Sequence, residues 1–426
     1  MPTYNIWTIG CQMNKAESRK IADYLELFGY DATPNFQKAD LIVLNTCVVR
    51  QSAENKVMGM LGYLRGIKKS KSDLTILVTG CFVNAEKEDL KKYFPHIDSF
   101  FKPGAYQEIV DWIQSNRPVV QKKKILPQNN KNIAPTAYVP IIQGCNNFCS
   151  YCIVPYRRGR EKSRSLGEIV DEISELVKNG VKEVILVGQN VNSYGHDLPK
   201  HPDLSKLLGV LNSIDGLVRI RFLTNHPKDM NFKLIESIAC LNKVCEHITL
   251  PLQSGDDNIL KAMNRGYTMD QYCDLIDTIR SNIPQIALST DVIVGFPGET
   301  EEQFSHTLDL IKKIRFDSVH VAAYSSREGT MASKNFEDSI HPEVKKERFE
   351  VIEAIQTKIA SEINSNLYGD TLEVLTEAKK NGKWYGRSKS DKLIFFEGKG
   401  DQLGQLVDVV ITKTSPWALQ GKIQIK

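Results

Sequence analysis

Apolar and polar positions along the chain change their pattern twice, and the changes predict three regions. In the first region, short β-branched runs alternate with stretches whose apolar residues recur at helical spacing, which is typical of parallel strands joined by crossover helices. The runs predict strands at residues 5–10, 41–46 and 75–80, and helices at 15–28, 52–68 and 86–93. We therefore expect a Rossmann-like parallel-sheet domain over residues 1–118.

A polar segment with neither a strand period nor a helix period follows and predicts a linker at residues 119–134. Beyond it, over residues 135–364, strands and amphipathic helices alternate again. Strands are predicted near residues 139–143, 183–188, 219–223, 248–252, 289–295 and 318–324, and helices near 166–178, 204–214, 271–280 and 303–314. Six such units predict a full or partial (βα)6 barrel with its site at the carboxyl ends of the strands.

The third region, residues 365–426, changes to short alternating strands near 371–375, 393–396, 405–412 and 418–425, separated by glycine and polar turns. This pattern predicts a small all-β barrel. The fold class is therefore α/β, with a parallel-sheet domain, a partial barrel and a small all-β domain in that order.

Composition limits the function without naming it. The 426 residues are 41% apolar and 25% charged, which is typical of a folded soluble protein. The formal charge of +4 is too small to indicate nucleic-acid binding, so any such contact must come from local patches. No basic start precedes an apolar stretch at the N-terminus, and no apolar run approaches the ~18–20 residues that cross a bilayer. We expect a cytoplasmic protein without a membrane partner.

Cysteine carries the first chemical signal. The nine cysteines are an odd number in a chain without a secretion signal, so metal or redox chemistry is a better explanation than disulfides. Cys11, Cys47 and Cys81 each follow one of the first three predicted strands. Because the carboxyl ends of parallel strands share one edge of a sheet, these three thiols should converge.

A second trio, Cys145, Cys149 and Cys152, forms a C-x3-C-x2-C loop directly after the first barrel strand. Three thiolates on a four-iron cluster leave one iron open for another ligand. A structural zinc site is the alternative, but zinc favours four protein ligands, and no fourth is obvious here.

The loop spacing resembles that of the radical S-adenosylmethionine (SAM) enzymes. In that superfamily an aromatic residue at the position of Tyr151 lies beside the adenine of SAM. The resemblance also suggests SAM contacts at Gly188 and Gln189 after the second barrel strand, at Gln253 after the fourth, and at Ile293 on the fifth.

Further motifs resemble those of the methylthiotransferases, most closely the MiaB-type tRNA methylthiotransferases. The matching pieces are residues 10–14, 44–50, 79–81, 143–164, 188–192 and 289–300, and the likeness covers nearly the whole chain. It implies an N-terminal methylthiotransferase domain, a radical SAM barrel and a C-terminal TRAM domain. Gln12, Met13 and Asn14 after the first cysteine favour the isopentenyladenosine branch of the family.

The resemblance implies two 4Fe-4S clusters, one on Cys11, Cys47 and Cys81 and one on Cys145, Cys149 and Cys152. One SAM would provide a methyl group and another a deoxyadenosyl radical, so that a methylthio group replaces hydrogen at C2 of N6-isopentenyladenosine next to the anticodon. Acid–base or nucleophilic side chains would not suffice to break an unactivated aromatic C–H bond, so the absence of a Ser-His-Asp set is expected, and the sequence identifies no catalytic residues beyond the cluster ligands.

Unstacked bases of RNA loops are accessible, so the anticodon stem-loop of tRNA is the expected partner. An electron donor of the flavodoxin or ferredoxin class and a sulfur donor are also expected. Candidate RNA contacts are the basic residues after the cluster loop and in the last domain, namely Arg157, Arg158, Arg160, Arg164, Arg387 and Lys389.

Three alternatives stay open at this point. The same chemistry could act on N6-threonylcarbamoyladenosine in tRNA or on an aspartate of a ribosomal protein. The chain could be a non-catalytic, metal-stabilised RNA-binding protein. The N-terminal cysteines could merely relay electrons in a radical enzyme.

Overall fold

The computed structural model describes residues 1–83, 87–117 and 134–424. Nearly all of the predicted linker at 119–134 lies outside these ranges, as do residue 86 of a predicted helix and residue 425 of a predicted strand. No helix in the described ranges is long and apolar enough to cross a membrane. The chain divides into two compact units: unit 1 is Met1–Asn130, Gln143–Asn146 and Cys152–Glu161, and unit 2 is the remainder.

Unit 1 contains a parallel sheet in the order β2-β1-β3-β4-β5. Its strands are β1 (Thr3–Thr8), β2 (Asp31–Ala32), β3 (Leu41–Thr46), β4 (Thr75–Gly80) and β5 (Ser99–Phe100). Its helices are α1 (Gln12–Leu27), α2 (Gln51–Ser70), α3 (Lys87–Tyr93), α4 (Tyr106–Asn116) and the short α5 (Val154–Arg158). The predicted strands at 41–46 and 75–80 are confirmed, whereas β1 lies two residues earlier than predicted.

Side chains alternate between two apolar layers on the faces of this sheet. Leu41 and Val43 of β3 pack on the face covered by α1 and α4. Ile42 and Leu44 pack on the opposite face, against α2. A strand buried on both faces reads as a continuous apolar run, which is why β3 and β4 were predictable from sequence.

The first part of unit 2 is the partial barrel. Its strands are β6 (Thr136–Pro140), β7 (Ile142–Gln143), β8 (Lys162–Ser163), β9 (Glu183–Val187), β10 (Arg219–Phe222), β11 (His247–Thr249), β12 (Ala287–Val294) and β13 (Ser318–Ala323). Its helices are α6 (Leu166–Lys178), α7 (Leu204–Asn212), α8 (Phe232–Cys240), α9 (Asp257–Ala262), α10 (Met269–Asn282), α11 (Glu301–Ile314), α12 (Met331–Asn335) and α13 (Pro342–Ser365).

Two parallel sheets, β10-β9-β6 and β11-β12-β13, form this partial barrel, and a bridge pairs Ile220 of β10 with Val244 in the segment that leads to β11. The strands pack against the helices through one large apolar cluster. Capping boxes begin several helices, as at Thr268 before α10 and Thr300 before α11. The predicted βα alternation is thus confirmed, and it places the loops after the strands at one edge.

The C-terminal part of unit 2 closes into a barrel in the order β14-β15-β16-β18-β17. Its strands are β14 (Thr371–Lys380), β15 (Lys383–Arg387), β16 (Leu393–Glu397), β17 (Leu406–Thr414) and β18 (Leu419–Ile423). Sequence reasoning predicted this barrel but missed β15. Trp384 and Phe396 belong to its core, whereas Trp417 is exposed.

Candidate functional site

The first cysteine trio lies at the carboxyl edge of the unit 1 sheet. Cys11 is the N-cap of α1, Cys47 directly follows β3, and Cys81 directly follows β4. The backbone N–H of Cys81 donates to the carbonyl of Thr46 at 2.9 Å, which ties the ends of β3 and β4 together. Since β1, β3 and β4 are neighbours in the sheet, the predicted convergence follows from the observed strand order.

Glycine precedes two of these cysteines because nothing larger fits. A Cβ on Gly10 would lie 2.8 Å from the Cβ of Cys47, and Gly10 has φ +131°. A Cβ on Gly80, at φ +94°, would collide with the backbone nitrogen and oxygen of Thr46. The cysteines are therefore brought together by close backbone packing that requires glycine.

A buried amide network connects the loops that carry the trio. The Asn14 side-chain nitrogen donates to the carbonyls of Ile9 at 3.0 Å and Thr46 at 2.9 Å. The Asn45 side chain donates in turn to the backbone oxygen of Asn14 at 2.9 Å. The Cys11 thiol lies 3.5 Å from Asn14 Oδ1. Both amides are fully buried, so the network fixes the positions of these loops.

The position of Arg158 contradicts the prediction that this residue contacts RNA. Its side chain is 2% exposed and pairs with Glu17, with Nη1 and Oε1 2.7 Å apart. Its Nη2 donates to Asn14 Oδ1 at 3.0 Å, and its Nε lies 3.3 Å from Cys81 Sγ. A phosphate contact needs an accessible cation, so Arg158 is not an RNA contact but part of the first cysteine site.

Cys11, Cys47 and Cys81 form no disulfides, and burial changes the acidity of two of these thiols. Burial raises the pKa of Cys47 to about 11 and also raises the pKa of Cys81, despite the opposing effect of Arg158. Such thiols are protonated near neutral pH until a metal displaces the proton.

Within residues 1–83, 87–117 and 134–424, no group of three or more His, Cys, Asp or Glu side chains is close enough to hold one metal ion. A four-iron cluster makes a different demand, because each cysteine binds a different iron and the three sulfurs stand further apart. Cys11, Cys47 and Cys81 at one edge of the sheet could hold such a cluster.

The second trio follows β6 and β7. In unit 1, the Cys145 N–H donates to the carbonyl of Gly159 at 3.2 Å, and Cys152 begins the segment that leads to Arg158. In unit 2, Cys149 is buried, and Nη1 of the buried Arg265 lies 3.3 Å from its sulfur. Sequence reasoning missed Arg265, because nothing in its local pattern distinguishes it from a surface arginine.

The predicted SAM-contacting residues lie toward the carboxyl edge of the barrel, with Ile293 near the end of β12 and the others in loops. The backbone of Gln253 forms two hydrogen bonds near the carboxyl end of β12. Its carbonyl accepts from Ile293 N at 2.9 Å, and its N–H donates to Asp291 O at 2.8 Å. Ile293 and Tyr151 pack against the same small apolar cluster, which includes Phe296. The structure thus joins Gln253 to Ile293 and brings Ile293 and Tyr151 to one cluster.

Gly188 and Gln189 directly follow β9. A Cβ on Gly188 would collide with the Ile142 side chain, so the loop passes close to the start of β7. Gln189 is partly buried and forms interactions of its own. Both residues lie at the barrel edge where they were predicted, and a role in binding SAM stays a prediction.

Four buried polar atoms near these loops have no hydrogen-bond partner among the described residues. They are Asn190 Oδ1, Asn225 Oδ1, His226 Nε2 and Gln253 Oε1. Burial lowers the pKa of His226 to about 2, so its ring is neutral. Because His226 Nδ1 accepts from Lys228 N, its Nε2 carries the proton and can donate. Unpaired buried donors and acceptors are costly, so this set fits a polar ligand such as SAM.

Sequence reasoning assigned neither Asn225 nor His226 to the site. The signal was available, since both residues follow a barrel strand at the edge where ligands bind. It was missed because a strand-end position alone does not reveal which polar atoms lack partners.

The other predicted RNA contacts differ in accessibility. Arg160 is exposed, and Arg157 is partly buried. Arg164 donates to Pro140 O at 2.8 Å and pairs with Glu172 at 2.6 Å, and its side chain is 24% exposed. Of these three arginines, Arg160 is the exposed one, and Arg157 and Arg164 are partly buried.

Arg387 and Lys389 lie where the C-terminal barrel docks on the partial barrel of unit 2. Arg387 pairs with Asp391 at 3.2 Å, and Lys389 Nζ donates to Asn242 O at 3.0 Å. Their backbone carbonyls accept from the buried Arg219 and Arg221 of β10. The structure therefore gives both residues a docking role, and RNA contact by them stays a prediction.

Comparisons with known proteins agree with this architecture. Three family models match consecutive parts of the chain: the uncharacterized protein family UPF0004 at residues 3–102, the radical SAM superfamily at 139–311, and the TRAM domain at 367–423. Among solved structures, the radical S-adenosylmethionine methyltransferase TsrM from Kitasatospora setae, with cobalamin and a 4Fe-4S cluster bound, aligns with a TM-score of 0.56. It is 13% identical, covers 90% of this chain and 81% of its own, and so supports the fold alone. The fold and the matched domains define a radical SAM protein with a TRAM domain.

Curated relatives narrow the class. The tRNA-2-methylthio-N(6)-dimethylallyladenosine synthase of Dehalococcoides mccartyi is 48% identical over 425 residues, which is 99% of both chains. The enzyme of the same name from Herpetosiphon aurantiacus is 44% identical and covers 99% of this chain and 97% of its own. The chain belongs to the tRNA-2-methylthio-N(6)-dimethylallyladenosine synthase family of radical SAM enzymes.

Proposed function

We propose that the chain installs a methylthio group at C2 of N6-dimethylallyladenosine, also called N6-isopentenyladenosine, next to the anticodon of tRNA. The observation that carries this proposal is the identity of 48% over 99% of both chains with a relative named for that product. The names of the relatives do not favour threonylcarbamoyladenosine, a ribosomal protein or a non-catalytic role.

Two 4Fe-4S clusters and SAM are the cofactors of this reaction. Cys11, Cys47 and Cys81 would hold one cluster, and Cys145, Cys149 and Cys152 the other. When bound, these groups supply the sulfur, the methyl group and the radical that removes hydrogen from C2. The chain's own contribution is to hold the ligands in place through the Asn14 network and the glycines beside the cysteines.

SAM would occupy the carboxyl edge of the partial barrel. Tyr151 and Ile293 provide an apolar surface for the adenine, and Gln253 and His226 provide an acceptor and a donor that the described protein groups leave unused. Gly188 and Gln189 would complete the edge after β9.

The tRNA would contact Arg157, Arg160 and Arg164 after the cluster loop, and Arg387 and Lys389 in the TRAM domain. We propose domain boundaries at residues 1–118, 119–134, 135–364 and 365–426. The reaction needs an electron donor, for which a flavodoxin or ferredoxin is suited, and a sulfur donor. Its tRNA substrate favours a cytoplasmic location.

The test combines iron analysis with nucleoside analysis. Anaerobically reconstituted protein should bind about eight irons, and replacing either cysteine trio by alanine should leave about four. Replacing Cys11, Cys47 and Cys81 should abolish the methylthio product but preserve deoxyadenosine formation, whereas replacing the second trio should abolish both. Replacing the non-ligand Cys240 and Cys273 is the matched control and should change neither.

Mass spectrometry of tRNA from a strain lacking the endogenous enzyme identifies the product. Complementation should restore 2-methylthio-N6-isopentenyladenosine. Restoration of only the threonylcarbamoyl product would assign the chain to the sister branch, and full activity after loss of the first trio would contradict the proposal.

A further inference from the structure

A buried cation contacts a sulfur of the first cysteine site. Arg158 Nε lies 3.3 Å from Cys81 Sγ, and the Arg158 side chain is only 2% exposed. Arginine keeps its charge when it is buried, so this is a permanent positive charge beside a thiol. Removing a guanidinium from water is costly, and its position therefore calls for an explanation.

The guanidinium is oriented by two further partners. Glu17 accepts from Nη1 at 2.7 Å and from Nη2 at 3.3 Å, and Asn14 Oδ1 accepts from Nη2 at 3.0 Å. This geometry leaves Nε directed at the sulfur. If the Arg158–Glu17 pair served only to anchor the segment Cys152–Glu161, Arg158 would not need to donate a hydrogen bond to Cys81. A buried ion pair is also weak evidence that the pair stabilises the fold.

We propose that Arg158 is a positioning residue that holds the Cys81 sulfur and offsets the negative charge of the cluster bound by Cys11, Cys47 and Cys81. Hydrogen bonds to cluster sulfurs and nearby charges set the reduction potentials of iron–sulfur clusters. Arg158 therefore raises the potential of this cluster, and Glu17, as its counter-charge, limits the increase. The inference rests on the proposed function, because it presupposes a cluster on this trio.

Unit 2 contains the same arrangement at a different sulfur. Arg265 is 4% exposed, its Nη1 lies 3.3 Å from Cys149 Sγ, and its Nε donates to Tyr267 Oη at 3.1 Å. Each cysteine trio is thus accompanied by one buried arginine that donates to one of its sulfurs. The repetition in a separate unit supports a role tied to the sulfur rather than to local folding.

The test isolates one cluster. The parent is the full chain with Cys145, Cys149 and Cys152 replaced by alanine, so that iron content and electron paramagnetic resonance report only the first site. Arg158→Met, Arg158→Lys and Glu17→Gln are made in this parent, and the control is Arg19→Met on the exposed face of the same helix as Glu17. The midpoint potential of each variant is measured by anaerobic redox titration.

We expect Arg158→Met to shift the potential to a more negative value and Glu17→Gln to shift it to a more positive one. The midpoint potential of Arg158→Lys should lie between those of Arg158→Met and the parent, because lysine keeps the charge but not the directed Nε. The midpoint potential of Arg19→Met should equal that of the parent. If Arg158→Met does not fold, the Arg158→Lys and Glu17→Gln shifts still decide the question.

Potentials that stay at the parent value in cluster-loaded Arg158→Lys and Glu17→Gln would overturn the inference, as would shifts of the same sign in both. A parent protein that binds no iron at all would instead contradict the proposed cluster on Cys11, Cys47 and Cys81. The two failures are therefore distinguishable.

Discussion

At the scale of single residues, the roles of charged and polar groups depend on what folds against them. The six candidate cysteines were identifiable from spacing and from strand ends, because both features are local. Arg158 was assigned to RNA because it lies in a basic run, yet Glu17 and Asn14, more than 140 residues away in the chain, bury it. No local pattern could report a contact between such distant positions.

Gly80 gives a prediction at this scale. Gly80→Ala places a Cβ against the Thr46 backbone at a positive φ, so the loop must move and the bond from Cys81 N to Thr46 O must lengthen. We expect a loss of about 2 to 3 kcal/mol in the free energy of unfolding. In the parent without the second trio, iron content should fall clearly below four.

Chemical denaturation and iron analysis check this prediction, with Gly59→Ala as the control. Gly59 lies on α2 in the same unit, with open space around its Cβ position. Equal iron content in the two variants would show that close packing at Gly80 does not position Cys81.

At the scale of elements, predictability followed burial. The strands at 41–46 and 75–80 were predicted with correct bounds because every residue in them is buried, and each contains a continuous apolar run, at residues 41–44 and 76–78. The strand β15, Lys383–Arg387, was missed because it is short, contains Gly386 and alternates only weakly. A Cβ on Gly386 would collide with Leu375 of β14. Glycine is therefore needed for the close pairing of β14 with β15, which the local sequence does not indicate.

Helix α2 yields a prediction about stability. Gly59 and Gly62 are exposed within this helix, and no atom lies within 4 Å of a Cβ built on either. Glycine inside a helix costs about 1 kcal/mol relative to alanine. We therefore expect Gly59→Ala and Gly62→Ala each to raise the free energy of unfolding by up to about 1 kcal/mol, and the double variant by nearly the sum.

Urea denaturation monitored by circular dichroism measures these changes. Gly188→Ala is the opposite case, because its Cβ would collide with Ile142, and it should destabilise the protein. A loss of stability in the α2 variants would mean that these glycines do not adopt ordinary helical geometry in solution.

At the scale of the whole molecule, buried arginines dock the TRAM domain on the partial barrel within unit 2. Arg219 donates to Arg387 O at 2.6 Å and to Glu373 Oε1 at 2.9 Å, and Arg221 donates to Lys389 O at 2.9 Å. A TRAM domain held in this way is fixed relative to the barrel. Both domains were predicted from the sequence, but their docking was not, because the local sequence around an arginine in a barrel strand does not indicate which distant residues it contacts.

Docking leads to a prediction for Arg221→Met. This variant removes the partner of the buried Glu183, which lies 3.2 Å from Arg221, and we expect a loss of about 3 to 5 kcal/mol. Amide hydrogen exchange of residues 386–392 should accelerate, because local opening becomes easier. The control is Arg315→Met, which breaks an exposed pair with Glu362 and should cost far less stability than Arg221→Met. Equal exchange in the two variants would contradict the docking role.

His247 makes the free energy of unfolding depend on pH. It is buried with Nε2 2.9 Å from Ser289 Oγ, and burial lowers its pKa from 6.5 to about 4, although Asp391 opposes the shift. Between these two values the unfolded chain binds a proton that the folded chain does not, so stability must fall as pH decreases from 6.5 to 4. A glutamine at this position is neutral in both the folded and the unfolded chain, so it removes this contribution to the pH dependence of stability. Between pH 7 and pH 5, His247→Gln should therefore lose about 2 kcal/mol less stability than the otherwise identical chain. Urea denaturation of proteins with all six candidate cysteines replaced measures this difference without interference from acid-labile clusters, and equal slopes in the two chains would show that His247 does not titrate on unfolding.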